Sequence, residues 1–166
     1  MPAYPPIAVR QPLPFDIVDV PVHVCGVGTG FEGQFSARVR DANGGELALI
    51  SIHAGGMGTW GNYDETISLP ATPATTRGTV EVFEFSAKGD GSELNKVTVP
   101  VSFGPALISP YHGFEQYTVV PGDTLSAIAQ AKYGNASLFG RIFDANRDEI
   151  SNPNLIFVGQ VLRIPV

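Results

Sequence analysis

QFSARVRDANGGELALISIHA, residues 34–54, decides the fold of the first hundred positions. Phe35, Ala37 and Val39 alternate with Ser36, Arg38 and Arg40, so one face of an extended chain is apolar and the other polar, as in a half-buried strand. Asn43 and Gly44 then tolerate the positive φ that a tight hairpin turn demands. The run from Glu46 to Ala54 is again strand-forming, which predicts an antiparallel pair across that turn.

Working outward, Val18, Val20, Val22 and Val24 alternate with Asp19, Pro21, His23 and Cys25 and read as one strand starting near Asp16. Five of the first fourteen residues are proline, which predicts an extended leader. Towards the C-terminus the period-two pattern continues through Tyr63, Glu65, Ile67 and Leu69, then Val80 to Phe85, then Val97, Val99, Val101 and Phe103. About seven short strands from Ile7 to Phe103, separated by Gly- or Pro-containing turns, fit a β-sandwich. In TVEVFEFSA, residues 79–87, the phase slips between Val82 and Phe83; a bulge and a central strand buried on both faces both explain it. Residues 70–76, rich in Pro and Thr, read as a crossover between sheets.

GPALISPYHG, residues 104–113, marks a boundary, and the period beyond it is helical. YTVV at 117–120 reads as a strand, and Asp123 is placed to cap a helix carrying Leu125, Ile128, Ala129 and Tyr133 as far as Gly134. Asn135 or Ser137 caps a second helix, with Leu138, Ile142, Phe143 and Ala145 inward, running to about Ile150. Gly140 within it costs about 1 kcal/mol relative to Ala unless close packing requires it. Asn152, Pro153 and Asn154 form a turn before a closing strand, Gln160 to Pro165, in which Leu162 and Ile164 face one way. The order is β-α-α-β.

Composition bounds the function. Of 166 residues 43% are hydrophobic and 16% charged, enough for a core; 19 glycines and 14 prolines argue against an all-helical bundle. Net charge is −6, with 6 basic and 11 acidic residues up to Pro110 and 4 and 5 after it. Neither part offers a basic surface to nucleic acid or anionic lipid. No apolar run reaches the roughly 18 residues a membrane helix needs. Cys25 is the single cysteine, so no internal disulfide forms. The N-terminus lacks the layout of a signal peptide, so with Met1 as native start the expected location is the cytoplasm; with a signal peptide already removed it is the periplasm or cell wall.

Several constellations have the residue types of a chemical site. Gly28, Gly30 and Gly33 fit GxGxxG, but the next residues, QFSARVRD, are strand-like where phosphate binding needs a helix N-terminus, and a tight turn or bulge accounts for the glycines. His23 and Cys25 share a strand face and His53 could join them across a sheet as zinc ligands, against a coincidental pair outside the core. Trp60 either stacks on a sugar or partner or folds over the sandwich end. Asp64 and Glu65 fall on opposite strand faces and cannot work as a glycosidase pair. No GxSxG, HExxH or catalytic Cys-His context is present, so the chain reads as a non-enzyme without catalytic residues, cofactor or metal.

YTVVPGDTLSAIAQAKYG, LFGRIFDAN and NPNLIFVGQVLRIP, over residues 117–166, resemble the LysM domain. That resemblance implies two helices on one side of a two-stranded antiparallel sheet and binding of peptidoglycan or other N-acetylglucosamine oligomers in a shallow groove. It nominates Gly122, Asp123, Thr124, Leu125 and Ser126 on one wall and Asn152, Pro153, Asn154, Leu155 and Ile156 on the other. Structural roles compete at several: Asp123 as a helix cap, Leu125 as core, and Asn146 nearby as a tie on the loop backbone. In a unit this small, Leu125, Ile128, Tyr133, Leu138, Ile142, Phe143, Leu155, Leu162 and Ile164 are needed for the core. Phe139 stands where many family members have tryptophan. VPVHVCGVGTGFEGQFSARVRDANGG, VEVFEFSAKGDGS and VTVPVSF resemble the immunoglobulin-like domain of bacterial spore-germination (Gmad) proteins, which implies architecture or attachment to a protein partner and transfers no site residue.

The expected fold is therefore α+β with two domains: a leader at 1–14, an antiparallel immunoglobulin-like β-sandwich at 15–104, a linker at 105–116 and a β-α-α-β LysM domain at 117–166. The expected function is glycan binding with the sandwich as spacer or partner-binding domain. The LysM segment also resembles that of BON-LysM potassium-binding proteins, which implies the alternative of an interaction or potassium-sensing module that does not bind murein.

Overall fold

A computed structural model of the chain describes residues 6–56 and 58–166. The first eight strands are β1 (Ile7–Gln11), β2 (Asp16–Val18), β3 (Val22–Gly28), β4 (Gln34–Asp41), β5 (Glu46–His53), β6 (Gly61–Ile67), β7 (Arg77–Phe85) and β8 (Glu93–Phe103). They make two facing sheets, β1-β3-β6 and β2-β8-β7-β4-β5. Every pairing is antiparallel except the three-residue β2 against β8. Val22, Val24 and Ile67 from one sheet meet Ile52, Val80, Val82 and Phe103 from the other in a shared core from which water is excluded.

The β4–β5 hairpin forms as expected, with Phe35 opposite Ile52 and Ala37 opposite Ile50. Gly44 supplies the positive φ, 84°, and Asp41 Oδ1 accepts from the amides of Asn43 and Gly45 to close the turn. Residues 68–76 cross from one sheet to the other, between β6 and β7. In β7 both explanations of the phase slip hold together. The strand is central, with Glu81 and Phe83 buried on the face opposite Val80 and Val82, and its register against β8 shifts between Val82 and Glu84.

One strand expectation is corrected. The single strand expected from Asp16 to Cys25 is two strands in different sheets, because Pro21 has no N–H for a ladder and Asp19 to Pro21 pair with nothing. Within the expected leader, Ile7–Gln11 pairs with β3, and Ile7 is buried in the core. Residues 1–5 of that leader lie outside the described residues.

After β8 come a short helix α1 (Gly104–Leu107), β9 (Phe114–Thr118), α2 (Leu125–Tyr133), a 3₁₀ turn (Ala136–Leu138), α3 (Phe139–Ala145) and β10 (Val161–Pro165). β9 and β10 pair antiparallel, and the helices pack on them through Ile128, Ala129, Ile142, Ile150, Leu162 and Ile164. The strand expected at 117–120 thus begins earlier, at Phe114, and Leu107 is buried inside the expected linker. Helix α2 ends where expected, at Gly134, with φ of 70°. Helix α3 ends at Ala145, five residues short of the expected end. The Asn146 side chain is turned inward, donating to the carbonyls of Ile142 and Arg163 and accepting from the Arg163 amide, each at 2.7 Å. Its amide therefore ties down backbone, that of α3 and of β10. Gly140 has open space where a Cβ would stand, so no close packing requires it. Leu155, expected in the core, is 53% exposed, and buried Val119 and Ile150 fill that role.

The two units are joined by polar contacts. Asp144 of α3 accepts from Thr76 Oγ1 at 2.6 Å and pairs with Arg77 at 3.4 Å, and its carbonyl accepts from Ser102 Oγ at 2.6 Å. Arg163 of β10 donates to the Phe15 carbonyl at 3.2 Å and pairs with Asp148.

Candidate functional site

Pairing of β9 with β10 brings two segments distant along the chain to one end of a small sheet: the turn after β9 and the loop before β10. Val119 N donates to the Gln160 carbonyl at 2.9 Å and Gly159 N to the Val119 carbonyl at 2.8 Å, which fastens the two together at their bases. Asp123 closes the first turn. Its Oδ2 accepts from Val120 N at 2.9 Å and from the Tyr117 hydroxyl at 2.8 Å, and that hydrogen bond, with burial and the carboxylate charge, raises the Tyr117 phenol above its ordinary pKa.

The helix cap is Thr124, which corrects the assignment to Asp123. Thr124 Oγ1 accepts from Ala127 N at 3.1 Å and lies 3.1 Å from Ser126 Oγ. On the opposite wall, Asn152 Oδ1 accepts from Asn154 N at 3.0 Å and its carbonyl from Leu155 N at 3.0 Å, fixing the turn through Pro153.

Between these turns runs a groove of about 230 Å³ lined by Asp123, Thr124, Leu125 and Ser126 on one side, by Pro153, Asn154 and Ile156 on the other, and by Phe139. Seven of the ten nominated residues therefore border one space. Gly122, Asn152 and Leu155 do not line it: Asn152 shapes the turn and Leu155 points outward. Leu125 is both lining and core, at 2% exposure. Phe139, the first residue of α3 and 39% exposed, stands out in the sequence only as a replacement for tryptophan, and an aromatic ring in that position is the signal that points to it. The groove offers hydroxyls, one side-chain amide and one carboxylate above an apolar floor, a set that suits a neutral sugar with an acetamido arm.

Other residues singled out fall elsewhere. His23 pairs with Asp64 across β3 and β6 at 2.5 Å, whereas His53 is on β5 in the opposite sheet, 3.1 Å from Gln34 Nε2; His23, Cys25 and His53, weighed above as zinc ligands, do not share a face. Gly33, with φ of 73°, turns the chain into β4 with its amide donating to the Gly30 carbonyl. Trp60 is 42% exposed. Among the described residues no group of three or more His, Cys, Asp and Glu is placed to hold a metal, and no helix is long and apolar enough to cross a membrane.

A β-α-α-β unit with a groove at its sheet end is thus packed against a two-sheet sandwich. Residues 117–165 match the LysM domain. Residues 6–92, just over half of the chain, match the immunoglobulin-like domain of bacterial spore germination, and the chain belongs to that family. Over 57 residues it is 51% identical to the potassium binding protein Kbp of Escherichia coli O6:H1, a match covering 34% of this chain and 38% of Kbp. Over 64 residues it is 52% identical to the esterase Rv1288 of Mycobacterium tuberculosis, covering 39% of this chain and 13% of the esterase. The chain thus spans well under half the length of these relatives. Its LysM domain points to glycans containing N-acetylglucosamine.

Proposed function

We propose that this chain binds peptidoglycan without acting on it chemically, through the groove between the Asp123–Ser126 and Pro153–Ile156 segments, with the sandwich as spacer or protein-binding unit. The observation that carries this reading is the convergence of those segments on one groove with Phe139 at its side. Thr124, Ser126 and Asn154 would meet the sugar's amide and hydroxyls, and Phe139 its apolar face. In this reading the sandwich extends to about Phe103 and the LysM domain holds Tyr117 to the C-terminus. A single shallow site of this kind binds in the micromolar to millimolar range, ~4 to 8 kcal/mol. Titration with N-acetylglucosamine oligomers and co-sedimentation with purified peptidoglycan test it. Asn154→Ala is expected to weaken both about tenfold at unchanged thermal stability; no retention of the unaltered chain at high concentration overturns the reading.

The identity with Kbp supports a second reading, a potassium-responsive module that does not hold murein. A rise in thermal midpoint with potassium chloride but not sodium chloride, together with absent sedimentation on peptidoglycan, is its expected signature.

A further inference from the structure

We propose that the crevice where the sandwich meets the LysM unit is a second binding site, for a singly charged carboxylate bearing a small apolar body, as at the free C-terminal end of a short peptide. The crevice encloses about 420 Å³, a volume in the range of small-molecule sites, and shares no lining residue with the glycan groove. Its walls come from both units: Arg40 of β4, Arg77 of β7 and Val101 of β8 from the sandwich, and Arg147, just past α3, from the LysM unit.

Three guanidinium groups border this space with donors to spare. Arg40 gives Nη1 to the Gly44 carbonyl at 2.7 Å, and its Nε is 3.4 Å from Glu81. Arg77 reaches Asp144 through Nε at 3.4 Å. Arg147 lies 4.3 Å over the Phe143 ring and pairs with no carboxylate among the described residues. Stacking fixes the guanidinium plane and leaves its edge free to donate, the geometry that a carboxylate accepts in two parallel bonds.

Two carboxylates share the lining, and both are engaged. Asp41 Oδ1 holds two amides of its own turn, and Glu81 Oε2 accepts from Arg38. With three arginines against Asp41 and Glu81, the lining sums to one positive charge in a chain of net −6. That balance matches one carboxylate and opposes a dianion or polyanion. Phe15 and Pro100 supply the apolar wall for the body of the ligand.

The test is amide NMR on the full chain titrated with N-acetyl-alanyl-alanine as free acid, with its C-terminal amide, and with inorganic phosphate. The acid is expected to give saturable shifts at Gly44, Val101 and Arg147, the amide to bind at least about tenfold more weakly, and phosphate not to displace the acid. Arg147→Gln is expected to lower the acid's affinity about tenfold with the thermal midpoint unchanged, and Arg77→Gln to lower the affinity as well. Equal binding of acid and amide, no shifts at millimolar acid, displacement by phosphate, or unchanged affinity in both variants overturns the proposal. Because the glycan groove has a separate lining, loss of peptidoglycan binding through Asn154→Ala leaves this result untouched.

Discussion

At the scale of single residues, buried polar groups carry the strongest consequences. Asn146 is fully buried, and its amide makes three short hydrogen bonds to backbone. Asn146→Ala leaves backbone groups of Ile142 and Arg163 unpaired and is expected to cost about 2 to 3 kcal/mol in denaturant unfolding. On the outer face of the sandwich, Arg38 is 4% exposed, stacks 4.5 Å over Phe83 and holds both Glu81 and Glu93. Replacing Arg38 by Met strands two carboxylates and is expected to cost ~3 to 5 kcal/mol, whereas Met at 38 with Leu at 81 should cost less, as double-mutant unfolding can show. The hydrogen bonds from Arg38 hold the Glu93 carboxyl at about 2, below its ordinary 4.5. A carboxyl depressed in the folded state contributes stability above pH 4.5 and loses it as pH falls toward 2. Thermal midpoints measured down that range should fall less steeply in Glu93→Gln. Residue roles in the turn are only half legible in the sequence: Asp123 and Thr124 are both good caps by type, and Asp123's reach back to Val120 N, which decides between them, is a three-dimensional fact.

At the scale of elements, periodicity carries most of the information. It places the β4–β5 hairpin, helix α2 with its Gly134 stop, and the two inward residues of β10. It misleads where one alternating pattern spans two elements: the valines from 18 to 24 keep phase across Pro21 although the chain changes sheets there. Helix α3 is shorter than its pattern for a related reason, since Ile150 is buried and in helical phase while Asn146 has already left the helix for β10. Thr124→Ala is expected to lower stability by about 1 kcal/mol through the lost cap. Gly140→Ala, with open space at its Cβ, is expected to raise it by up to about 1 kcal/mol. Both are readable as shifts in thermal midpoint.

At the scale of the whole molecule, the two family resemblances are legible because they rest on runs of residues in order. The packing between the units is not, since Thr76, Arg77, Ser102 and Asp144 carry no common signature before the chain is folded. Asp144→Ala removes the contacts to Thr76 and Arg77, and the two units are then expected to tumble with distinct correlation times in NMR relaxation while glycan affinity stays the same. One short helix borders the groove and also joins the two units. Phe139 and Asp144 stand at the first and sixth positions of α3, about 7.5 Å apart along its axis. In the proposed glycan-binding reading, tension on a saccharide held against the phenyl ring would pass along these two turns to the aspartate and from there into the strand ends of the sandwich.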